Sequence, residues 1–210
     1  MSDRLPRSFF RRDPVTLALA LLGQRLVRVM DDGTRLAGRI VEVEAYLGVE
    51  DLAAHTARGR RTRRNESMWL DGGHAYVYFT YGMHHCMNVV AQGPGDPTAC
   101  LIRAVEPLEN IAVMRAHRSV KSPHRIIGDT LIASGPARLT QAFAIDRSLD
   151  GQDMVTSDRL FIEAGPAVPA DRITTTPRIG VAYAGEWAAK PLRFYEAHSG
   201  HVSVRRAVRA

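Results

Sequence analysis

The chain has 210 residues, 45% hydrophobic and 24% charged, enough to bury roughly 70% of its unfolded surface without a disulfide or metal staple. Lys and Arg outnumber Asp and Glu by 28 to 22, for a net charge of +6, and 26 of the 28 basic residues are Arg. No stretch approaches the roughly 18 continuous apolar residues of a membrane span, and Cys86 and Cys100 form neither a CxxC pair nor a framework pattern, which fits reduced cytoplasmic thiols.

Residues 1–12 read as a basic leader without the apolar stretch of a secretory signal, and residues 13–210 as one domain. Asp13 before Pro14 predicts a helix N-terminus, with the helix running to about Gly23. Strands are expected at Arg25–Met30 and Arg35–Leu47, joined by the turn Asp31-Asp32-Gly33-Thr34. The second alternates, with Val41, Val43, Ala45 and Leu47 on one face and Glu42, Glu44 and Tyr46 on the other. The plain reading of that polar face is an edge strand in water.

A polar stretch, 48–65, contains Arg58, Arg60, Arg61, Arg63 and Arg64, five arginines in seven residues. Two further strands, His74–Thr80 and Met83–Ala91, meet at Tyr81-Gly82, and a third covers Ala99–Ala104. A helix is expected at Pro107–His117 with Leu108, Ile111, Ala112 and Arg115 on one side, then a loop over 118–133. A second helix opens at Ser134-Gly135-Pro136 and carries Leu139, Ala142 and Phe143. Short strands close the chain at Leu160–Glu163, Arg178–Tyr183 and Leu192–Glu196. Hairpin connections rather than crossovers give a mainly antiparallel α+β domain.

Several catalytic devices are missing: GxxxxGK[ST], GxGxxG after a strand, HExxH and GxSxG. The eight histidines are scattered, so no metal site is expected. An amine nucleophile for Schiff-base chemistry would have to be Lys121, Lys190 or the N-terminus, which disfavours a lyase. The segment from His74 to Tyr81 holds three of the six tyrosines, with Tyr76 and Tyr78 on one face and Tyr81 at a turn, where packing does not require an aromatic. The run Arg58–Arg64 is more easily accommodated if phosphates neutralise it.

Arg39 to Gly48, Asp51 to His55, Tyr76-Val77-Tyr78, Tyr81-Gly82-Met83, Cys86-Met87-Asn88, Leu101 to Glu109, Ser134-Gly135-Pro136, Arg178 to Val181, Ala184 to Trp187 and Lys190 to Tyr195 together resemble the alkyladenine DNA glycosylase family, also called methylpurine or 3-methyladenine DNA glycosylases. The resemblance runs from about residue 8 to the C-terminus. It implies a single α+β domain with a curved, mainly antiparallel sheet and surrounding helices. It also implies a monomeric, monofunctional enzyme that excises alkylated or deaminated purines from double-stranded DNA without metal or cofactor. Its setting would be the cytoplasm, at the nucleoid, or the nucleus of a eukaryote, with no membrane.

By that resemblance Glu44 is the catalytic glutamate and Arg103 helps hold the attacking water, whose site the Ile179 carbonyl completes. Tyr46, His55 and Tyr78 are the walls of the base pocket, and Asn88 crowds the exocyclic amine of guanine. Tyr81 enters the duplex beside Met83. His84 and His85 stand where an aromatic is common in the family. A nucleic-acid binder without catalysis, a nucleosidase for free nucleosides and a formyltransferase-like domain remain alternatives; the first leaves Glu44, Tyr78 and Arg103 without a role.

Overall fold

A computed structural model describes residues 3–80, 82–120 and 126–204. Its eight strands are β1 (Arg25–Val29), β2 (Arg35–Tyr46), β3 (Ala75–Thr80), β4 (His84–Val90), β5 (Ala99–Glu109), β6 (Leu160–Glu163), β7 (Ile173–Thr176) and β8 (Arg193–Glu196). The α-helices are α1 (Arg7–Phe10), α2 (Pro14–Leu21), α3 (Ile111–Ser119) and α4 (Pro136–Ala142). None is long and apolar enough to cross a membrane.

All strand pairs are antiparallel, in the order β3-β4-β5-β2-β1-β6, and the sheet branches at β2. Along one edge β2 follows β5; along the other it pairs first with β1, through Arg35 to Arg39, and then with β8, through Glu42 to Glu44. Register shifts at Ile40/Glu42 and Glu42/Val43 mark the branch; bulges bend a strand and sharpen its twist, here curving the sheet where the glutamates stand. The glutamate face is therefore not an edge in water. Glu42 and Glu44 are fully buried, because Val43 and Ala45 enter the main core while a second cluster around Ala53, Val181 and Ala184 covers Tyr46 on the other side.

The local signals at the helices act as expected. The Asp13 carboxylate accepts from the N–H groups of Val15 and Thr16 to start α2, whose Leu17 and Leu21 reach the core and contribute about 1.5–3 kcal/mol each by burial. Pro136 opens α4, and Leu139, Ala142 and Phe143 are fully buried.

Three further expectations need correction. The leader is not separate: Phe10 is wholly in the core and the Leu5 N–H donates to the Ile162 carbonyl, anchors that the surrounding arginines obscure in the sequence. Pro107 does not open a helix but lies opposite Gly38 at a register shift of β5, where a missing N–H is tolerated. Asn110, with φ 54°, then turns the chain into α3, whose fully buried residue is Met114, while Leu108 stays exposed on the strand. Residues 178–183 form a loop and the start of a 3-10 turn rather than a strand, with Gly180 at φ 79°. Within the expected loop, Ile127, Ile132 and Ala133 are buried, and Lys121 lies outside the described residues.

Candidate active site

The central strands place the charged groups at the floor of a cavity. Glu44 projects from β2, and its Oε2 accepts from the Tyr46 hydroxyl at 3.0 Å and faces the Arg103 guanidinium at 3.2 Å. Its Oε1 accepts from the Ile179 N–H at 2.8 Å. Each carboxylate oxygen has two acceptor positions, so among the described residues Oε1 keeps one lone pair open. The resemblance assigns Ile179 through its carbonyl; the group the structure sets on Glu44 is its N–H.

The loop that carries Ile179 is held by a buried ion pair that the sequence reading did not single out. Both guanidinium nitrogens of Arg178 reach Asp51, at 2.5 and 2.8 Å, and one also donates to the Ala45 carbonyl at 2.9 Å. Asp51 in turn accepts from the N–H groups of Leu47 and Ala53. The Arg178 guanidinium also lies 4.6 Å from the Tyr46 ring, so one residue fixes both the loop and a wall of the cavity.

Above the floor lies a cavity of about 440 Å³, with Tyr46, His55, Tyr76, Tyr78, Asn88 and Arg103 among its lining residues, within the usual range of about 300–1,000 Å³ for small-molecule sites. Tyr76 and Tyr78 stack with ring centroids 5.3 Å apart, as their shared face on β3 requires, and His55 meets Tyr78 edge-on at 4.5 Å. His55 Nδ1 lies 2.7 Å from the Tyr76 hydroxyl. Burial, aided by Arg64 and Arg60, lowers the His55 pKa to about 4, so the imidazole is neutral at pH 7. Burial also pushes the Tyr78 hydroxyl up, with Cys86 beside it, and raises Tyr46 further through the Glu44 carboxylate. The cavity walls are neutral aromatics over a charged floor. Asn88, on β4, is buried and donates to the Tyr76 carbonyl at 3.1 Å.

At the rim the charges are exposed. Arg61 pairs with Glu66 and lies over Trp69, and Arg64 donates to the Phe79 carbonyl and sits 5.6 Å from the Tyr78 ring. Arg58, Arg60 and Arg63 are exposed and make no ion pair among the described residues. Asn65, absent from the sequence reading, braces this loop by accepting from Thr62 N–H and donating to the carbonyls of His55 and Arg60. A second cavity, about 470 Å³, opens between Arg58, Arg60, Arg64 and the walls His55, Tyr76 and Tyr183. Between β3 and β4, Gly82 (φ 67°) and the exposed Met83 form a turn, with His84 and His85 half-buried behind it. Tyr81 lies outside the described residues.

Comparison with known proteins assigns this arrangement to a class, the hydrolases of N-glycosyl bonds. The model of the methylpurine-DNA glycosylase family matches residues 8–200, and the chain belongs to that family. It is 48% identical over 206 residues to the human DNA-3-methyladenine glycosylase, covering 96% of this chain and 68% of that protein. The mouse DNA-3-methyladenine glycosylase is also 48% identical, covering 97% of this chain and 62% of the relative. A putative 3-methyladenine DNA glycosylase of Methanocella arvoryzae is 47% identical, with 96% of each chain covered. The family places the chain in the excision repair of alkylated purines.

Proposed function

We propose that the protein flips alkylated or deaminated purines out of duplex DNA and hydrolyses the N-glycosidic bond with a water activated by Glu44, leaving an abasic site. The observation that carries this reading is the buried Glu44 carboxylate, held by Tyr46, Arg103 and Ile179, which themselves line an aromatic cavity, with one lone pair of Oε1 open.

Extrusion costs a few kcal/mol. Stacking the base against Tyr46, His55 and Tyr78 returns about 1–3 kcal/mol, with Tyr81 filling the gap beside Met83 and the arginines of the rim on phosphates. A purine alkylated at N3 or N7 is cationic, so it favours electron-rich rings and a neutral His55 over a charged wall. It is also a ready leaving group. Bond breaking builds positive charge on the sugar, which Glu44 stabilises while it takes the proton of the attacking water. Arg103 fixes that carboxylate, and Asn88 crowds the 2-amino group of normal guanine.

The test is excision from duplexes carrying a single hypoxanthine, ethenoadenine or 3-methyladenine, read by strand cleavage after alkali. Alkali-dependent breaks at the lesion are expected. Breaks without alkali would contradict hydrolysis by water, and equal release of the base from a free nucleoside would favour the nucleosidase alternative.

A further inference from the structure

Arg103 is shared between two buried carboxylates. Its Nε donates to Glu42 Oε1 at 3.0 Å while a terminal nitrogen faces Glu44 Oε2 at 3.2 Å. Glu42, like Glu44, is fully buried behind the cavity lining, and it accepts more bonds than Glu44 does. Arg193 Nε reaches its Oε1 at 2.7 Å, Ser203 Oγ reaches the same oxygen at 2.8 Å, and the Ser203 N–H reaches Oε2 at 2.6 Å. Arg193 also donates to Thr176 Oγ1 and to the Val204 carbonyl, so residues 203–204 are clasped onto β8 beneath the site. This clasp lies beyond residue 200, where the family match ends.

Two carboxylates and two guanidiniums balance in charge, but balance alone does not require Arg103 to divide its fork. A guanidinium facing a lone carboxylate prefers to bind it through two parallel N–H bonds, and such a grip on Glu44 would occupy acceptor positions that a water needs. Tying Nε to Glu42 holds Arg103 to one nitrogen on Oε2. We infer that Glu42, fixed by Arg193 and Ser203, is a positioning residue that keeps Arg103 from closing on Glu44 and so leaves Oε1 free for the nucleophilic water. This rests on the reading of Glu44 given above.

The charged and titratable groups around Glu44 come from every packed element. They are Glu42 and Tyr46 on β2, Tyr78 on β3, Cys86 on β4, Arg103 on β5, Arg193 on β8 and Arg178 on the covering loop. Removing the Glu42 charge releases Arg103 toward Glu44.

The experiment is single-turnover excision by the full chain, with Glu42→Gln, Ser203→Ala and Glu44→Gln beside the wild type, together with binding to the lesion duplex. Glu42→Gln is expected to slow the step about 10- to 100-fold, the scale of a misplaced catalytic group, and to leave the Kd for the lesion duplex nearly unchanged. Ser203→Ala is expected to slow it by about three- to tenfold, the equivalent of one hydrogen bond, and it carries the test should Glu42→Gln fail to fold. Wild-type rates per active site in these variants, even with lowered melting temperatures, would overturn the inference. A wild-type rate in Glu44→Gln would instead overturn the reading of Glu44 itself.

Discussion

Arginine serves two opposite roles in the buried floor of the site and on the exposed loop that forms its rim. In the floor, Arg103, Arg178 and Arg193 are buried and each is paired with a buried carboxylate. In the rim, Arg58, Arg60 and Arg63 stand in water without an ion pair among the described residues. Buried pairs are little screened by salt, and losing one partner leaves an uncompensated charge. Exposed charges are screened, contribute little to stability and are free to meet a polyanion. On the proposed reading, the difference separates chemistry and fold integrity below from DNA binding above.

The largest effect that would test this division is at Glu44. Glu44→Gln is expected to slow single-turnover excision about 10²- to 10⁴-fold, the usual contribution of a general base, while fluorescence anisotropy shows lesion binding nearly unchanged. A matching loss of binding would erase the boundary between floor and rim. Next, Asp51→Ala leaves Arg178 buried without its partner, and about 3–5 kcal/mol of stability should disappear in urea unfolding. A loss below 1 kcal/mol would place that pair with the rim charges.

His55 sits where the two regions meet. In the unfolded chain it takes a proton near pH 6.5, whereas in the fold it stays neutral down to about 4. The unfolded state therefore binds the extra proton between those values, and stability falls as the pH drops through that window, by about 3 kcal/mol in full. Unfolding at pH 7 and pH 4.5, compared between the wild type and His55→Gln, isolates this contribution, which the variant should lack. The smallest effect belongs to the rim. Removing Arg60 or Arg63 should reduce the slope of log K against log[salt] by about 0.9 per phosphate contact without changing the rate at saturating enzyme. An unaltered slope would mean that these arginines do not face the phosphates.

Local chemistry made much of the fold legible. Asp13-Pro14 and Gly135-Pro136 start helices where expected, and the Asp31–Thr34 turn joins β1 to β2 with Asp32 accepting from the Thr34 N–H. β5 beyond Ala104 was hidden because Pro107 carries a helix-start signal in sequence and a bulge in the sheet. β7 was missed because Thr174, Thr175 and Thr176 offer no apolar alternation. In the site, Tyr46, His55, Tyr78, Asn88 and Arg103 do line one cavity with Glu44 beneath them. Glu42 looked like a solvated neighbour because its partners Arg193 and Ser203 are 151 and 161 residues away along the chain. Asp51 and Arg178 escaped for the same reason, being 127 residues apart. Contacts of that span leave no periodicity to read.

The branching of the sheet at β2 has a further consequence. The strand that carries Glu44 is bonded on both edges, to β5 along most of its length and to β1 and β8 in turn on the other side. Its amides can open to solvent only when the sheet itself comes apart, so their hydrogen exchange belongs to the slowest, globally unfolding class. No partly folded form that has lost the centre of the sheet retains the geometry around Glu44, and excision and native structure should disappear together on denaturation.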